Sequence, residues 1–293
     1  MKCKQFPAFF LAITTMLTLV ACNHSSSDQA NESTHKVPTE DKTVTVYMLK
    51  SDGSYTYQYD DNGNMTQKKH NSFHYEFEYD DENKLLKQTE YYNNGNPAYT
   101  EYLYNNDGAL VEETLYFQNE KQSWIEYEYG SDGKITKSIE HNISADDGSQ
   151  WQIEYLYHYD AAGNLIEKTF DSSGSHFAYE YDDEGNRIKY SLIMQGKNPE
   201  FTYAYEYNNM GNVTKKLSHS NSYGNLNNTT QYEYNSEGYP SQAIVIHDDN
   251  TTTTTPLQYR KFTMDEARAK ELQKRYNETD NLNESPVVVI IAK

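Results

Sequence analysis

The residues of this chain that could do chemistry are carboxylates, tyrosines and a scatter of histidines. Glutamates recur two residues apart, as in Glu126 and Glu128, and a pair of carboxyl groups is what hydrolysis of a glycosidic bond requires. The same pairing returns in most copies of the pattern described below, whereas a hydrolytic site needs one unique constellation. A solvated strand face is therefore the better reading. Turns such as Asp60-Asp61-Asn62-Gly63 offer oxygens to calcium but lack the alternating ligands of an EF-hand loop. His70, His74, His141, His158, His176, His219 and His247 follow no metal-ligand spacing, and the sequence contains no nucleotide-binding loop. The expectation is a protein that is not an enzyme and uses no metal or cofactor. What remains is the chemistry of 29 tyrosines, whose rings can pack on the C–H faces of sugars while nearby Asn, Asp and Glu accept hydroxyl hydrogens. That is binding chemistry, and its placement depends on the elements that carry the rings.

An aromatic-x-aromatic stretch, followed by a turn of Asp or Asn, two variable residues and Gly, recurs eight times. Its last tyrosine falls at Tyr59, Tyr79, Tyr104, Tyr129, Tyr159, Tyr181, Tyr207 and Tyr234, and such self-similarity governs any secondary-structure reading. A type I turn closed by a left-handed residue explains the turn: the Asp or Asn side chain caps it, and Gly takes positive φ without a Cβ penalty. Asn83 replaces Gly in the second copy, and Asn is the next most tolerant residue there. Two residues before each last tyrosine stand Tyr57, Phe77, Tyr102, Tyr127, Tyr157, Tyr179, Tyr205 and Tyr232. Alternate residues of a strand share a face, so the aromatics form rows on one side. The opposite face is rich in carboxylates, among them Glu76, Glu101, Glu126, Glu180 and Glu206. A three-residue loop with a glycine bulge sets each last tyrosine against the residue six positions on, from Met65 to Pro240, as a ladder of mostly Tyr–aliphatic pairs. The next row on that face reads Gln67, Lys87, Glu112, Lys137 and their equivalents, which would line a wet groove with aliphatic stems and polar heads. The candidate ligand contacts are then Tyr57, Tyr102, Tyr127, Tyr157, Tyr179 and Tyr205, with Trp124 and Trp151 as large platforms near repeat boundaries.

This pattern resembles the YD-repeat family, also called RHS repeats, over residues 42–249. Its fullest copy is Tyr157-His158-Tyr159-Asp160-Ala161-Ala162-Gly163-Asn164-Leu165. The resemblance implies an all-β fold, a long antiparallel meander that coils into a shell, found in cell-surface and secreted proteins with carbohydrate binding and cell contact among the suggested roles. Large members enclose toxic cargo and end in a self-cleaving segment, and no Asp- and Gly-rich segment of that kind follows the eighth copy. Eight hairpins make about sixteen strands, so a curved open sheet or partial spiral is expected in place of a sealed cocoon.

Residues 1–21 have a basic start at Lys2 and Lys4, an apolar stretch from Phe6 to Val20 and no acid, the layout of a secretory signal peptide. Leu19-Val20-Ala21-Cys22 resembles a bacterial lipobox, which implies that Cys22 becomes the acylated first residue, with palmitate among its acyl chains. More than one chain gives stable anchoring. By resemblance to Gram-negative lipoproteins, Asn23 favours the outer membrane. Residues 22–41 are polar and read as a flexible tether. Residues 250–293 break the pattern: a strand over Leu257 to Phe262, a capping box at Thr263 to Glu266, and one short helix over Ala267 to Tyr276. An apolar strand within Pro286 to Ala292 then covers a sheet edge or adds to a partner's sheet.

A formal charge of −19 repels phosphates and excludes nucleic acid as a partner, and two cysteines exclude a disulfide-stapled fold. Two binding classes compete. One is a membrane-anchored lipoprotein of the cell envelope that binds glycans or surface polymers through the tyrosine face. The other is a protein-interaction scaffold, or an accessory or immunity partner of a larger repeat protein or toxin. It would use the acidic face or the loops of unequal length at Asn93 to Ala98, Asn142 to Gln150 and Ser218 to Thr230.

Overall fold

The computed structural model describes residues 42–92, 95–170, 174–195, 197–221, 226–277 and 286–291. The signal peptide, the tether and Cys22 lie outside the described residues. The chain opens with β1 (Thr43–Ser51). Eight hairpins follow in order. The first four are β2 (Thr56–Tyr59) with β3 (Met65–Lys69), β4 (Phe73–Tyr79) with β5 (Leu85–Tyr92), β6 (Ala98–Tyr104) with β7 (Leu110–Phe117), and β8 (Glu120–Tyr129) with β9 (Ile135–Ile143). The next four are β10 (Gln150–Tyr159) with β11 (Leu165–Phe170), β12 (Ser175–Tyr181) with β13 (Arg187–Ile193), β14 (Pro199–Tyr207) with β15 (Val213–Ser220), and β16 (Leu226–Tyr234) with β17 (Pro240–Ile246). The chain closes with β18 (Thr252–Pro256), β19 (Gln258–Asp265), helix α1 (Glu266–Asn277) and β20 (Val288–Ile291). The repeats thus supply sixteen strands, and the flanks raise the sheet to 20.

Each repeat turn closes the same pair of backbone bonds, and all but the fourth, which opens on Gly130, add a side-chain cap. In the first, the Asp60 amide donates to the Asn64 carbonyl (2.9 Å) and the Gly63 amide to the Asp60 carbonyl (3.2 Å). The Asp60 carboxylate accepts from the amides of Asn62 (2.9 Å) and Asn64 (2.8 Å). Gly63 has φ 79° and Asn83 has φ 64°, the left-handed geometry the turn demands. A Cβ at Gly63 would also stand 2.6 Å from Leu272 Cδ1 of α1, so this glycine serves both turn and packing.

Every last tyrosine faces the residue six positions on, from Tyr59 opposite Met65 to Tyr234 opposite Pro240. The next row differs from expectation, because each hairpin has a bulge immediately beyond that pair. One extra residue on the returning strand moves all later side chains to the other face. Gln67, Lys87 and Lys137 therefore pair with Gln58, Glu78 and Glu128 on the outer face. The aromatics two before the last tyrosine face other residues: Lys68 lies opposite Tyr57, Glu113 opposite Tyr102, Lys168 opposite Tyr157 and Lys216 opposite Tyr205.

The sheet runs further round than a partial spiral. Consecutive strands pair antiparallel from β2 to β18, and the chain passes through Leu257 into β19, which pairs with β1 along its length. β1 meets β2 at Ser51 opposite Thr56 and takes β20 along Thr45 to Met48, so the sheet is nearly closed. The apolar C-terminal strand is thus taken up by the chain's own sheet. Asp265 caps α1, its carboxylate accepting from the amides of Ala267 (2.8 Å) and Arg268 (3.2 Å), where the sequence pointed to Thr263.

β1, α1 and β20 plug the end of the shell at which the repeat turns gather. Val46, Met48, Leu272, Val287 and Val288 are buried there with Tyr57, Tyr59, Met65, Leu110 and Val213 in one core. The Met65 amide donates to the Tyr276 hydroxyl (2.7 Å), and Arg268 reaches the Asn64 side-chain oxygen (2.6 Å). Asn212 clasps β20 on both sides: its amide donates to the Ile290 carbonyl (2.8 Å) and its oxygen accepts from the Ile290 amide (3.0 Å). The asparagine that follows the turn glycine is a structural clasp that the sequence reading did not single out.

Candidate functional site

The tyrosine rows hold the repeats together. In at least five copies the last tyrosine donates its hydroxyl to a backbone carbonyl of the preceding copy, at the residue that the preceding tyrosine faces. Tyr79 bonds Met65 (3.0 Å), Tyr104 bonds Leu85 (2.9 Å) and Tyr129 bonds Leu110 (2.6 Å). Tyr207 bonds Arg187 (2.7 Å), Tyr234 bonds Val213 (2.8 Å), and Tyr59 bonds Leu49 of β1 (2.8 Å). Burial lifts the phenols of Tyr79, Tyr104, Tyr129 and Tyr234, Tyr129 to about 12, so they remain donors throughout the physiological range. Each stitch gives a backbone carbonyl a hydroxyl donor.

The expected ligand contacts divide into three groups. Tyr57, Tyr102 and Tyr179 are 4%, 7% and 6% exposed, packed in the interior where no ligand reaches them in the folded chain. The expected wet groove along this row is instead a packed core, because the bulge brings different residues opposite the rings and the plug covers one end. Tyr127, Tyr157 and Tyr205 are half-buried on the inner face. Tyr127 donates to Glu113 (2.6 Å), and the Tyr157 hydroxyl lies 3.0 Å from that of Ser138. Lys168 lies over the rings of Tyr155 (4.3 Å) and Tyr157 (5.3 Å). Glu113 is buried; burial raises its carboxyl to about 7, the Tyr127 bond and Lys168 only partly offsetting this, and its Oε2 has no partner among the described residues.

The two tryptophans lie on opposite faces. Trp124 is on the outer face with both ring faces occupied, by Lys121 at 4.1 Å and by His141 at 4.4 Å and 4° from parallel. It is therefore no open platform. Trp151 is 51% exposed at the end of the inner face remote from the plug. Tyr92 and Phe117, at the ends of β5 and β7, are also exposed. At that end the loops differ in length, and three large rings meet solvent.

The outer carboxylates are paired. Lys137 bridges Glu128 (3.1 Å) and Glu154 (3.3 Å), Lys189 meets Glu180 (2.7 Å) and Lys215 meets Glu206 (2.8 Å). Such ladders neutralise a strand surface without contributing much stability.

A stitched meander of eight near-identical hairpins defines a β-repeat protein. Residues 145–191 match the RHS Repeat family, and that segment holds the copy around Tyr157 to Gly163. No curated protein matches the chain. Among solved structures it is similar to TcdB2-TccC3, with 13% identity and a TM-score of 0.37 over 74% of this chain and 14% of that one. It is similar to the Tc holotoxin pore of Photorhabdus luminescens, with 12% identity and a TM-score of 0.33 over 70% of this chain and 13% of that one. A porin-like protein from Bacteroides uniformis gives 11% identity and a TM-score of 0.38 over 75% of this chain and 95% of that one. The chain thus corresponds to a small fraction of the Tc proteins' length, and scores at this level transfer no role.

Proposed function

We propose that this protein is a lipid-anchored, non-catalytic interaction scaffold of the cell envelope, which binds a surface polymer or protein partner through the open end of its shell. The observation that carries this reading is the contrast between the two ends. One end is filled by α1 and β20. The other exposes Tyr92, Phe117 and Trp151 among loops of unequal length. Large rings in water have no folding role to explain them, and clustered exposed aromatics are a mark of binding surfaces.

The interior supports the same reading. Its tyrosines are engaged in stitches, and its charged groups lie against rings as Lys168 does, so the inner face serves the shell. Acylation at Cys22 supplies the attachment, and the tether of residues 22–41 gives the shell reach from the bilayer. On this reading a glycan or surface polymer meets the outside and the rim of the shell, not the tyrosine rows.

Two experiments test it. Metabolic labelling with a palmitate analogue should tag the parent chain and not Cys22→Ala; an unlabelled parent removes the anchor from the proposal. Purified envelope fractions should retain the full chain and release Phe117→Ser/Trp151→Ser, with unchanged circular dichroism. Equal retention of both would refute the rim.

A further inference from the structure

The shell has a cavity at the seam where its sheet closes. β1 meets β2 at one residue pair, Ser51 opposite Thr56, with the turn of residues 52–55 between them. The connection from β3 to β4, residues 70–72, lies beside that turn at the open end. Together they enclose about 300 Å³, the lower end of the range for small-molecule sites. Ser51, Ser54, Tyr55, Thr56, Lys69 and His70 line it, and among the described residues no carboxylate does. That is unusual company in a chain with 44 acidic residues against 25 basic ones.

Both walls are held by their own contacts. Asp52, the nearest acid in sequence, closes the turn: one oxygen accepts from the amides of Ser54 (3.0 Å) and Tyr55 (2.7 Å), and the other from the Tyr57 hydroxyl (2.8 Å). On the other side the His70 ring packs against Tyr55 at 5.3 Å and Phe73 at 4.9 Å, and the His70 amide donates to the Phe73 carbonyl (2.9 Å). A site whose walls are already fixed loses little entropy when a ligand enters.

The lining supplies hydrogen-bond donors. Thr56 lies opposite both Ser51 and Lys69, so these three share the outer face, in line over about 10 Å. Ser51 Oγ accepts from the Gly53 amide (3.3 Å), which leaves its hydrogen to donate. His70 Nδ1 accepts from the Ser72 amide (3.3 Å), so the neutral ring carries its hydrogen on Nε2. Lys69 has no ion-pair partner among the described residues, whereas Lys87, Lys137, Lys189 and Lys215 on the same outer face are each paired with a glutamate. Lys68, 4.5 Å over the Tyr55 ring, adds positive charge beside the cavity.

Three hydroxyls, an ammonium and a ring N–H, with no carboxylate, select an anion, and the number of donors selects its kind. A carboxylate offers two oxygens, whereas a phosphate monoester offers three strong acceptors and up to two charges. The chain's total charge repels a nucleic acid, which must lie along a large surface. A single phosphate meets its immediate lining, because charges farther than about 8 Å are largely screened at physiological ionic strength.

We propose that the seam cavity binds a phosphate monoester, its oxygens held by Lys69, His70 and the hydroxyls of Ser51, Ser54 and Thr56, with a small organic body against Tyr55. This goes beyond the scaffold reading and depends on neither Phe117 nor Trp151.

The test uses the full chain with phenyl phosphate, inorganic phosphate, a short-chain phosphatidate below its micellar concentration, and benzoate as the carboxylate comparator. Calorimetric titration and phosphorus NMR line widths read the binding. Phenyl phosphate should bind, inorganic phosphate should compete with it, and benzoate should bind at least about tenfold more weakly. Lys69→Gln should weaken phenyl phosphate by about tenfold and Ser54→Ala by about fivefold, both at exposed positions where circular dichroism should not change. Lys189→Gln, on β13, should change nothing. Phosphatidate binding more tightly than phenyl phosphate, and losing that affinity in Lys69→Gln, supports the site with a lipid headgroup as its source; the reverse order supports it with a free monoester. No binding of any phosphate, benzoate as tight as phenyl phosphate, or equal weakening in Lys69→Gln and Lys189→Gln overturns the proposal. Envelope retention is read separately, and its loss in Phe117→Ser/Trp151→Ser leaves the scaffold reading intact in each of those cases.

Discussion

Replacing Glu113 by glutamine should make the shell more stable at pH 8 and change its stability far less at pH 5. Glu113 is on β7, 3% exposed, opposite Tyr102 on β6 and Ile125 on β8. Tyr127 donates to one carboxyl oxygen, the other has no partner among the described residues, and Lys168 is the cation that acts on it. Tyr104 and Tyr129 also feel its charge. Burial raises its pKa from an ordinary 4.5 to about 7. The folded chain therefore holds this proton at pH values where the unfolded chain has released it. Stability is full below about pH 4.5, falls as pH rises through the window up to 7, and is flat beyond. Holding this carboxyl at about 7 in place of 4.5 corresponds to about 3 kcal/mol at pH 8. Glutamine keeps the shape and an acceptor for Tyr127 but carries no charge, so it should recover most of that loss. Urea titration of parent and Glu113→Gln at pH 5 and pH 8, followed by fluorescence, measures both differences. Equal differences at the two pH values, or a glutamine variant less stable at pH 8, would refute the reasoning. Asp132, Asp147 and Asp160, held below their ordinary values first by hydrogen bonds, act in the opposite sense and only at more acid pH, outside this window.

Three further perturbations test the architecture. Tyr104→Phe deletes one stitch and leaves the Leu85 carbonyl without its hydroxyl donor, costing about 1 kcal/mol in urea titrations; no change would make the inter-repeat bond ornamental. Gly63→Ala and Gly133→Ala both place a Cβ at positive φ, but only the first meets Leu272, while nothing lies within 4 Å of the second. Both should lose about 1 kcal/mol and Gly63→Ala at least 1 more, whereas equal losses would mean that α1 does not press on the first turn. Asn212→Ala removes both bonds to Ile290, costs about 2 kcal/mol and should make the C-terminal strand the first site of proteolytic nicking; unaltered nicking would argue that pairing with β1 alone holds the plug.

The hairpins were legible in the sequence because their signals are local. Parity, the turn residues and the partner six positions on all follow from a few adjacent residues, and Asn83 fits the same geometry as the glycines. The bulge is equally local, but its consequence is a change of parity, and the row read as Gln67, Lys87 and Lys137 lies on the other face because of it. Closure was not legible. It depends on β1 pairing with β19 and β20, contacts between the two ends of the described chain for which no local pattern gives a register. Tyr57 and Tyr102 share one core with that plug, so no reading of the repeats alone could separate packing rings from accessible ones.

The order of the two faces also bears on how such a shell can associate with a bilayer. A strand barrel that spans a membrane carries an apolar band outside and polar residues within, since lipid cannot solvate charge. Here Glu128, Lys137 and Glu154, Glu180 with Lys189, and Glu206 with Lys215 run over the outer surface, and the rings pack inside. Inserting that surface would strand several ion pairs in hydrocarbon, at about 2 to 4 kcal/mol for each lysine near the midplane. No local rearrangement inverts the faces, because one slip of register would expose every stitch tyrosine at once. Charge on the outer strand face therefore opposes its insertion into a bilayer.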